Sequence, residues 1–352
     1  MRIAFDVSAL SASHSGVATY TSNLLHHLRC FPEDEVVPIT HGYQLNKTLW
    51  MQAWLPLQLS RLAPNVCHFT NSVASWWTPC PSVVTIHDTT LWKFPHYHPR
   101  RRLLAMRPLI PRGALHAKAI IAVSAATKRD LVRTLKVPEA KVHVVYEAAA
   151  PEFRPLARGP ALESVRHKYC LPELFILYVG TIEPRKNLMR LLRAFDVVRR
   201  QGYRSHALVL VGNRGWKDGA ILATAEQLAM DGAVRVLGRV PTQDLVSLYN
   251  LADLLAFPSL YEGFGLPVIE AMACGTPVVA SPNGSLAEIA GTAAEFVDPT
   301  QVESIAAGLR TVLSDADRCA YLQAAGLQQA ARFSWETAAR HTRQIYEAVL
   351  DQ

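Results

Sequence analysis

The sequence predicts an α/β protein built from two doubly wound parallel-sheet domains. Three observations carry this: two series of short apolar strands alternating with helical patterns, a proline-containing stretch without periodicity between them, and small-residue or glycine turns at strand ends. At 352 residues the chain is long enough for two ordinary domains. Half of it is hydrophobic and 18% is charged, a globular rather than a disordered composition.

The first series opens with a buried strand at 2–7, a loop of small polar residues at 8–16, and a helical pattern at 17–29. Strands follow at 36–40, 66–70 and 82–87, with a Trp- and Leu-rich helix at 49–62 interrupted by Pro56. The run 119–124, the helix 125–135 and the strand 142–146 complete this half. From Glu147 to about Lys168 three prolines and no apolar period make the best linker candidate. The second series reads strand 174–179, helix 187–200, strand 206–211, helix 219–230, strand 234–237 and helix 242–250. An apolar run ending at Phe257, a turn with Pro258, Gly263, Gly265 and Pro267, and a helix at 268–274 follow. Strands at 277–280 and 293–297 and helices at 301–313, 319–331 and 335–350 end the chain. The expected domains are 1–165 and 166–333, with 334–352 as a terminal helix.

Formal net charge is +7, unevenly spread: residues 1–168 hold 20 Lys and Arg against 10 Asp and Glu, whereas 169–352 hold 16 against 19. A basic first half and a slightly acidic second half suggest different partners. The six cysteines show no CxxC spacing, so they read as small buried hydrophobes rather than a disulfide frame or zinc site. Neither a signal-peptide pattern nor an 18-residue apolar run is present, so the expectation is a cytoplasmic protein, soluble or peripheral on the inner membrane face. Asn283-Gly284-Ser285 matches a glycosylation sequon and is read as a chance match.

Ligands of doubly wound sheets bind beyond the carboxyl ends of strands, and four such ends carry unusual residues. Gly16 follows the first strand, and His87-Asp88 the fourth. Gly180-Thr181-Ile182-Glu183-Pro184-Arg185-Lys186-Asn187 opens the second half; there two cations before a helix N-terminus suit a diphosphate. The fourth is the stretch from Glu262, in the glycine-rich turn, to Glu270 on the helix. Taken singly, a turn glycine, a solvated Arg-Lys pair, exposed carboxylates and a core histidine would explain each. Agreement at equivalent topological positions favours the functional reading.

GTIEPRKN at 180–187 and PSLYEGFGLPVIEAMACGTPVVAS at 258–281, with Glu262 and Glu270 spaced E-x7-E, resemble the retaining glycosyltransferases of family 4. VTIHDTTLWKFP (84–95), AVSAATKRDL (122–131) and GSLAEIAGTAAEFVDP (284–299) are similar to that family too, so the resemblance covers nearly the whole chain. It implies the GT-B architecture, two Rossmann-like domains facing across a cleft, with the last helix packed back on the first domain.

The resemblance also implies roles. Arg185 and Lys186 would bind the diphosphate of a nucleotide-sugar and support its charge as it leaves, and Glu270 would take the ribose hydroxyls. Glu262, with backbone N–H groups of Gly263, Phe264, Gly265 and Leu266, would hold the sugar. Gly16 would admit the phosphates, His87 would sit at the reacting centre near the sugar, and the loop Gly238-Arg239-Val240 would touch the base, largely through backbone, with Gly212 close by; Gly180 would be a further donor-binding residue. No cofactor is expected, since enzymes of this type generally work without a bound metal; Asp315-Ala316-Asp317, despite its D-x-D spacing, reads as a helix cap. A single glycine after Ser15, where many relatives carry two, departs from the pattern.

GTIEPRKN with TIHDTTLWKFP looks most like bacterial mannosyl- and rhamnosyl-type members that build surface polysaccharides, and this resemblance makes GDP-mannose the preferred donor. The acceptor would be a saccharide or a polyprenyl-diphosphate-linked saccharide. Arg100, Arg101, Arg102 and Arg107, interleaved with Trp92, Phe94, Tyr97 and Leu104, read either as a solvated helix face or as a surface for an acceptor or an anionic membrane. Trp50, Trp54, Trp76 and Trp77 could join it. The rivals are a nucleotide-sugar epimerase or phosphorylase on the same plan and, from the basic pI, a nucleic-acid-binding module. No nucleic-acid signature supports the last, and nucleic acid is not an expected partner.

Overall fold

The computed structural model describes residues 1–11, 16–40, 49–229 and 232–351; Ser15 lies outside them. The chain divides into two compact units, 1–147 with 334–352, and 148–333. The expected boundary at 165/166 therefore moves to 147/148. Part of the stretch read as a linker is ordered structure: Pro160 starts the helix Pro160–Lys168, and its last residue Lys168 and the following Tyr169 both bond Asp244 at 2.6 Å. Proline at a first helical turn loses no intrahelical bond, so its presence does not argue against a helix there.

In the first unit, strands β1 (Arg2–Asp6), β2 (Glu35–Ile39), β3 (Val66–Phe69), β4 (Ser82–Ile86), β5 (Ala119–Ala122) and β6 (Val142–Val144) form a parallel sheet. Its order is β2-β1-β3-β4-β5-β6. β3, β4 and β5 are buried throughout, as helix cover on both faces requires. The interruption expected at Pro56 is a change of helix type: a π-helical turn at Trp50–Trp54 runs into the helix Leu55–Leu62, with Pro56 in its first turn. The segment Arg100–His116 is one helix despite Pro108 and Pro111, which sequence rules would take as breaks.

The terminal helix Trp335–Leu350 belongs to this first unit. Ser334 caps it by accepting the Thr337 N–H. Tyr346, fully buried, has its hydroxyl 2.5 Å from His68 Nδ1, while His68 Nε2 meets the Thr85 hydroxyl at 2.8 Å. Arg343 ties the same helix to Asp34 at 2.7 Å and Glu33 at 2.9 Å.

The second unit holds β7 (Phe175–Val179), β8 (Ala207–Val211), β9 (Val234–Gly238), β10 (Leu254–Phe257), β11 (Val278–Ala280) and β12 (Glu295–Phe296). The order β12-β11-β10-β7-β8-β9 is the doubly wound arrangement whose direction reverses between β7 and β10. β7, β8 and β10 are buried throughout, so their carboxyl ends stand on a rigid base. Of the six cysteines, all free, only Cys67 and Cys274 are buried; Cys30 and Cys170 are exposed, contrary to expectation. Among the described residues no helix is long and apolar enough to cross a membrane.

Candidate active site

The reversal point of the second sheet gathers a cluster of charged side chains. The loop after β7 presents Arg185 and Lys186, and the loop after β10 presents Glu262. Lys186 Nζ lies 2.7 Å from Glu262 Oε1, and Arg185 Nη1 lies 3.1 Å from Oε2. Arg185 also donates to the Tyr261 carbonyl at 2.6 Å and to Glu183 at 2.6 Å, and the Lys186 ammonium sits 5.1 Å from the centre of the Phe257 ring. Glu262 is 7% exposed; burial works against its charge, but Lys186 and Arg185 prevail and hold its carboxyl at about 2.

Sequence reasoning gave Glu183 no role, yet it is 2% exposed and clamps the guanidinium from the other side. Its signal was only that a carboxylate stands two residues before an arginine. Asn187 was missed as well. It adopts a left-handed conformation, φ 63°, and its amide donates to the Pro258 carbonyl at 3.0 Å and the Pro299 carbonyl at 2.7 Å. It thereby fastens the cationic loop to the end of β10.

Gly180 and Gly212 are close-approach glycines. A Cβ on Gly212 would lie 2.1 Å from the Gly180 carbonyl oxygen, and the Gly212 N–H donates to Gly238 at 2.8 Å. Beyond Gly238, Arg239 is exposed and Val240 is buried.

The turn that carries Glu262 is braced from Asn283-Gly284-Ser285. A Cβ on Gly284 would stand 2.3 Å from the Glu262 carbonyl oxygen, and the buried Ser285 hydroxyl donates to the Phe264 carbonyl at 2.7 Å. The sequon there is a structural loop. Gly263 and Phe264 lead to Gly265, left-handed at φ 104°, which starts the helix Leu266–Ala273. Glu270 on that helix is 7% exposed and accepts from the buried Tyr249 hydroxyl at 2.9 Å, a partner no motif suggested.

In the first unit Gly16 is the exposed first residue of the helix Gly16–Leu28. His87 follows β4: its Nε2–H donates to the Thr70 carbonyl at 2.8 Å, its Nδ1 is 3.2 Å from Glu147 Oε1, and the Tyr20 ring meets it edge-on at 4.8 Å. Burial disfavours the imidazolium, but the Glu147 carboxylate reverses this and raises its pKa.

The four arginines do not act alike. Arg100, Arg101 and Arg102 are exposed, but Arg107 turns inward, donating to the Leu91 carbonyl at 2.9 and 3.1 Å. Arg107 is thus a structural tie rather than a surface cation. Nearby, Trp76, Trp77, Trp54 and Leu104 are exposed and Arg112 lies over the Trp76 ring, whereas Trp50 is core. Asp315 accepts the Arg318 N–H at 2.9 Å, which is helix capping.

Residues 6–153 match the family model described as Glycosyltransferase Family 4, and residues 167–329 match Glycosyl transferases group 1. The chain is 36% identical over 267 residues to the O-antigen chain mannosyltransferase B of Escherichia coli, covering 76% of this chain and 70% of that protein. It is 32% identical over 226 residues to the serotype-specific mannosyltransferase WbdA of Escherichia coli, 63% of this chain but only 28% of that longer protein. Among solved structures, sucrose-phosphate synthase from Thermosynechococcus elongatus superposes with a TM-score of 0.78 at 21% identity, covering 100% of this chain and 99% of that one. WaaG, a glycosyltransferase involved in lipopolysaccharide biosynthesis, gives 0.77 at 17% identity, covering 97% and 99%. Two doubly wound units with the E-x7-E stretch at the reversal point of the second, matched along both halves, make the conclusion plain: the chain belongs to glycosyltransferase family 4.

Proposed function

We propose that this protein transfers mannose from GDP-mannose, with retention of anomeric configuration, to a saccharide or polyprenyl-diphosphate-linked saccharide in surface-polysaccharide assembly. The observation that carries the reading is the Arg185–Lys186–Glu262 cluster at the reversal point of the second sheet. The mannosyltransferase names of the relatives in Escherichia coli support the sugar.

In this reaction the bond between the sugar's anomeric carbon and the phosphate oxygen breaks while the acceptor oxygen bonds the same face, and the acceptor's proton passes to the departing phosphate. Arg185 and Lys186 stabilise the charge that develops on that diphosphate. Glu262 and the backbone from Gly263 to Leu266 orient the sugar, and Glu270 takes the ribose hydroxyls. Gly180, Gly212, Arg239 and Val240 frame the nucleotide. The mechanism asks for no protein nucleophile and no metal.

The acceptor side of the proposal is a membrane surface. Between Asp88 and Asp130 the chain carries nine Lys or Arg and no Asp or Glu; exposed Leu104 lies among them, and exposed Trp76 and Trp77 shortly precede them in sequence.

A thermal-shift panel of nucleotide-sugars, followed by NMR of the anomeric proton in the product, tests the function. GDP-mannose is expected to raise Tm most, and the product to keep the donor's anomeric configuration. Preference for a uridine-linked sugar would discard the donor, and an inverted product would discard the mechanism.

A further inference from the structure

His87 has both ring nitrogens engaged. The Thr70 carbonyl, 2.8 Å from Nε2, can only accept, so Nε2 carries a hydrogen. Glu147 Oε1 stands 3.2 Å from Nδ1, and a carboxylate there also only accepts. The pair therefore holds one proton more than a neutral imidazole beside a carboxylate, and the more basic imidazole keeps it. Both side chains are largely buried, at 14% and 4% exposure, so water screens the attraction little.

The other groups facing the ring agree. Asp88, its chain neighbour, also favours the charge. The Tyr20 ring meets it edge-on, while the Tyr20 hydroxyl is committed to Thr85 at 2.8 Å. The nearby His68 is kept neutral by burial, which lowers its pKa to about 3, so it adds no competing cation.

We propose that Glu147 is a positioning residue for the transfer: with the Thr70 carbonyl it fixes His87 as a doubly protonated imidazolium, a standing positive charge without a lone pair for base catalysis. This rests on the transferase reading, in which His87 acts at the reacting centre. Glu147 opens the stretch that sequence patterning treats as linker, and nothing in its neighbours Tyr146 and Ala148 announces such a role.

The test is a titration of the histidine side chains by ¹⁵N NMR in the whole protein, with His87 assigned by His87→Gln, alongside the pH profile of kcat/KM. In the wild type, both His87 nitrogens are expected to be protonated at pH 7, with a midpoint above the ordinary value of about 6.5. In Glu147→Gln, burial is opposed only by Asp88 and the Thr70 carbonyl: the midpoint is expected to fall by at least about one unit, tenfold in proton affinity, and the alkaline limb of kcat/KM to move down with it. Glu147→Asp is expected to restore part of both shifts. A His87 that is neutral at pH 7 in the wild type, or a midpoint that does not move in Glu147→Gln, overturns the proposal. Should the glutamine variant fail to fold, the wild-type titration and the aspartate variant decide. The NMR midpoint is independent of turnover, so the pair can fail while the transferase reading stands, and the reverse.

Discussion

The Lys186 ammonium and the Glu262 carboxylate meet at 2.7 Å, joining the loop after β7 to the loop after β10. The two residues are 76 positions apart in the chain, and their loops are neighbours because β10 pairs parallel with β7 at the point where the strand order reverses. Arg185 bridges the same carboxylate to Glu183, so two cations and two acids form one compensated cluster. The contacts hold both cations in fixed positions, the preorganisation that the proposed diphosphate role calls for.

Lys186→Ala is expected to lower kcat by about 10²–10³, the loss typical of one preorganised donor to a developing oxyanion. Far-UV circular dichroism of the variant is expected to match the wild type. Turnover near normal would remove Lys186 from the leaving-group role.

Acid is expected to weaken the fold through two groups. Glu262 is more acidic folded than unfolded, so its stabilisation is complete above about pH 4.5 and disappears as pH falls toward about 2. His68, buried neutral with a pKa near 3 against 6.5 unfolded, adds a loss that begins as pH drops below 6.5. Tm measured from pH 7 to pH 3 should fall across this window. Glu262→Gln should flatten its lower part, and a slope unchanged in that variant would reject the assignment.

Gly284→Ala is expected to cost at least about 2 kcal/mol, because φ of 67° strains any other residue and its Cβ would meet the Glu262 carbonyl oxygen at 2.3 Å. The variant should also lose stabilisation by the donor. Gly202→Ala is the control: φ is 115° but the space is open, so only backbone strain of about 1 kcal/mol is expected. Equal Tm losses in both would show that the brace under Glu262 is unimportant.

Replacing Arg100, Arg101 and Arg102 by Glu is expected to abolish flotation with vesicles of anionic phospholipid, and Trp77→Ala to weaken it several-fold. Binding by the wild type should fall between 0.05 and 0.5 M salt, values on the order needed to shorten the Debye length below the reach of the surface. The Tm rise given by the donor should be unchanged. Salt-insensitive binding, or none, would point instead to an acceptor free in solution.

The strands, most helices and the E-x7-E stretch were legible because each is written in a short window: apolar runs, helical periods, glycines at strand ends. The helix Arg100–His116 was obscured by its own prolines. Pro108 removes a bond to the carbonyl of Leu104, a residue 79% exposed, where water can replace it. The helix Pro160–Lys168 hid in a stretch whose order comes from Asp244, far along the chain. Arg107 looked like its arginine neighbours until the helix turned it toward Leu91.

By itself the sequence determined that this is a two-part α/β chain with cations before one helix and two carboxylates eight residues apart, because local pattern and turn chemistry dictate local structure. Only the tertiary structure decided partnership. Ser285 under the Glu262 turn, Tyr249 on Glu270 and Glu147 on His87 are pairings between residues 21 or more apart in the chain, and even Glu183 with Arg185 shows only in the folded loop. The physical reason is that burial removes water as a partner, so each polar group must find another wherever the sheet brings one within about 3 Å.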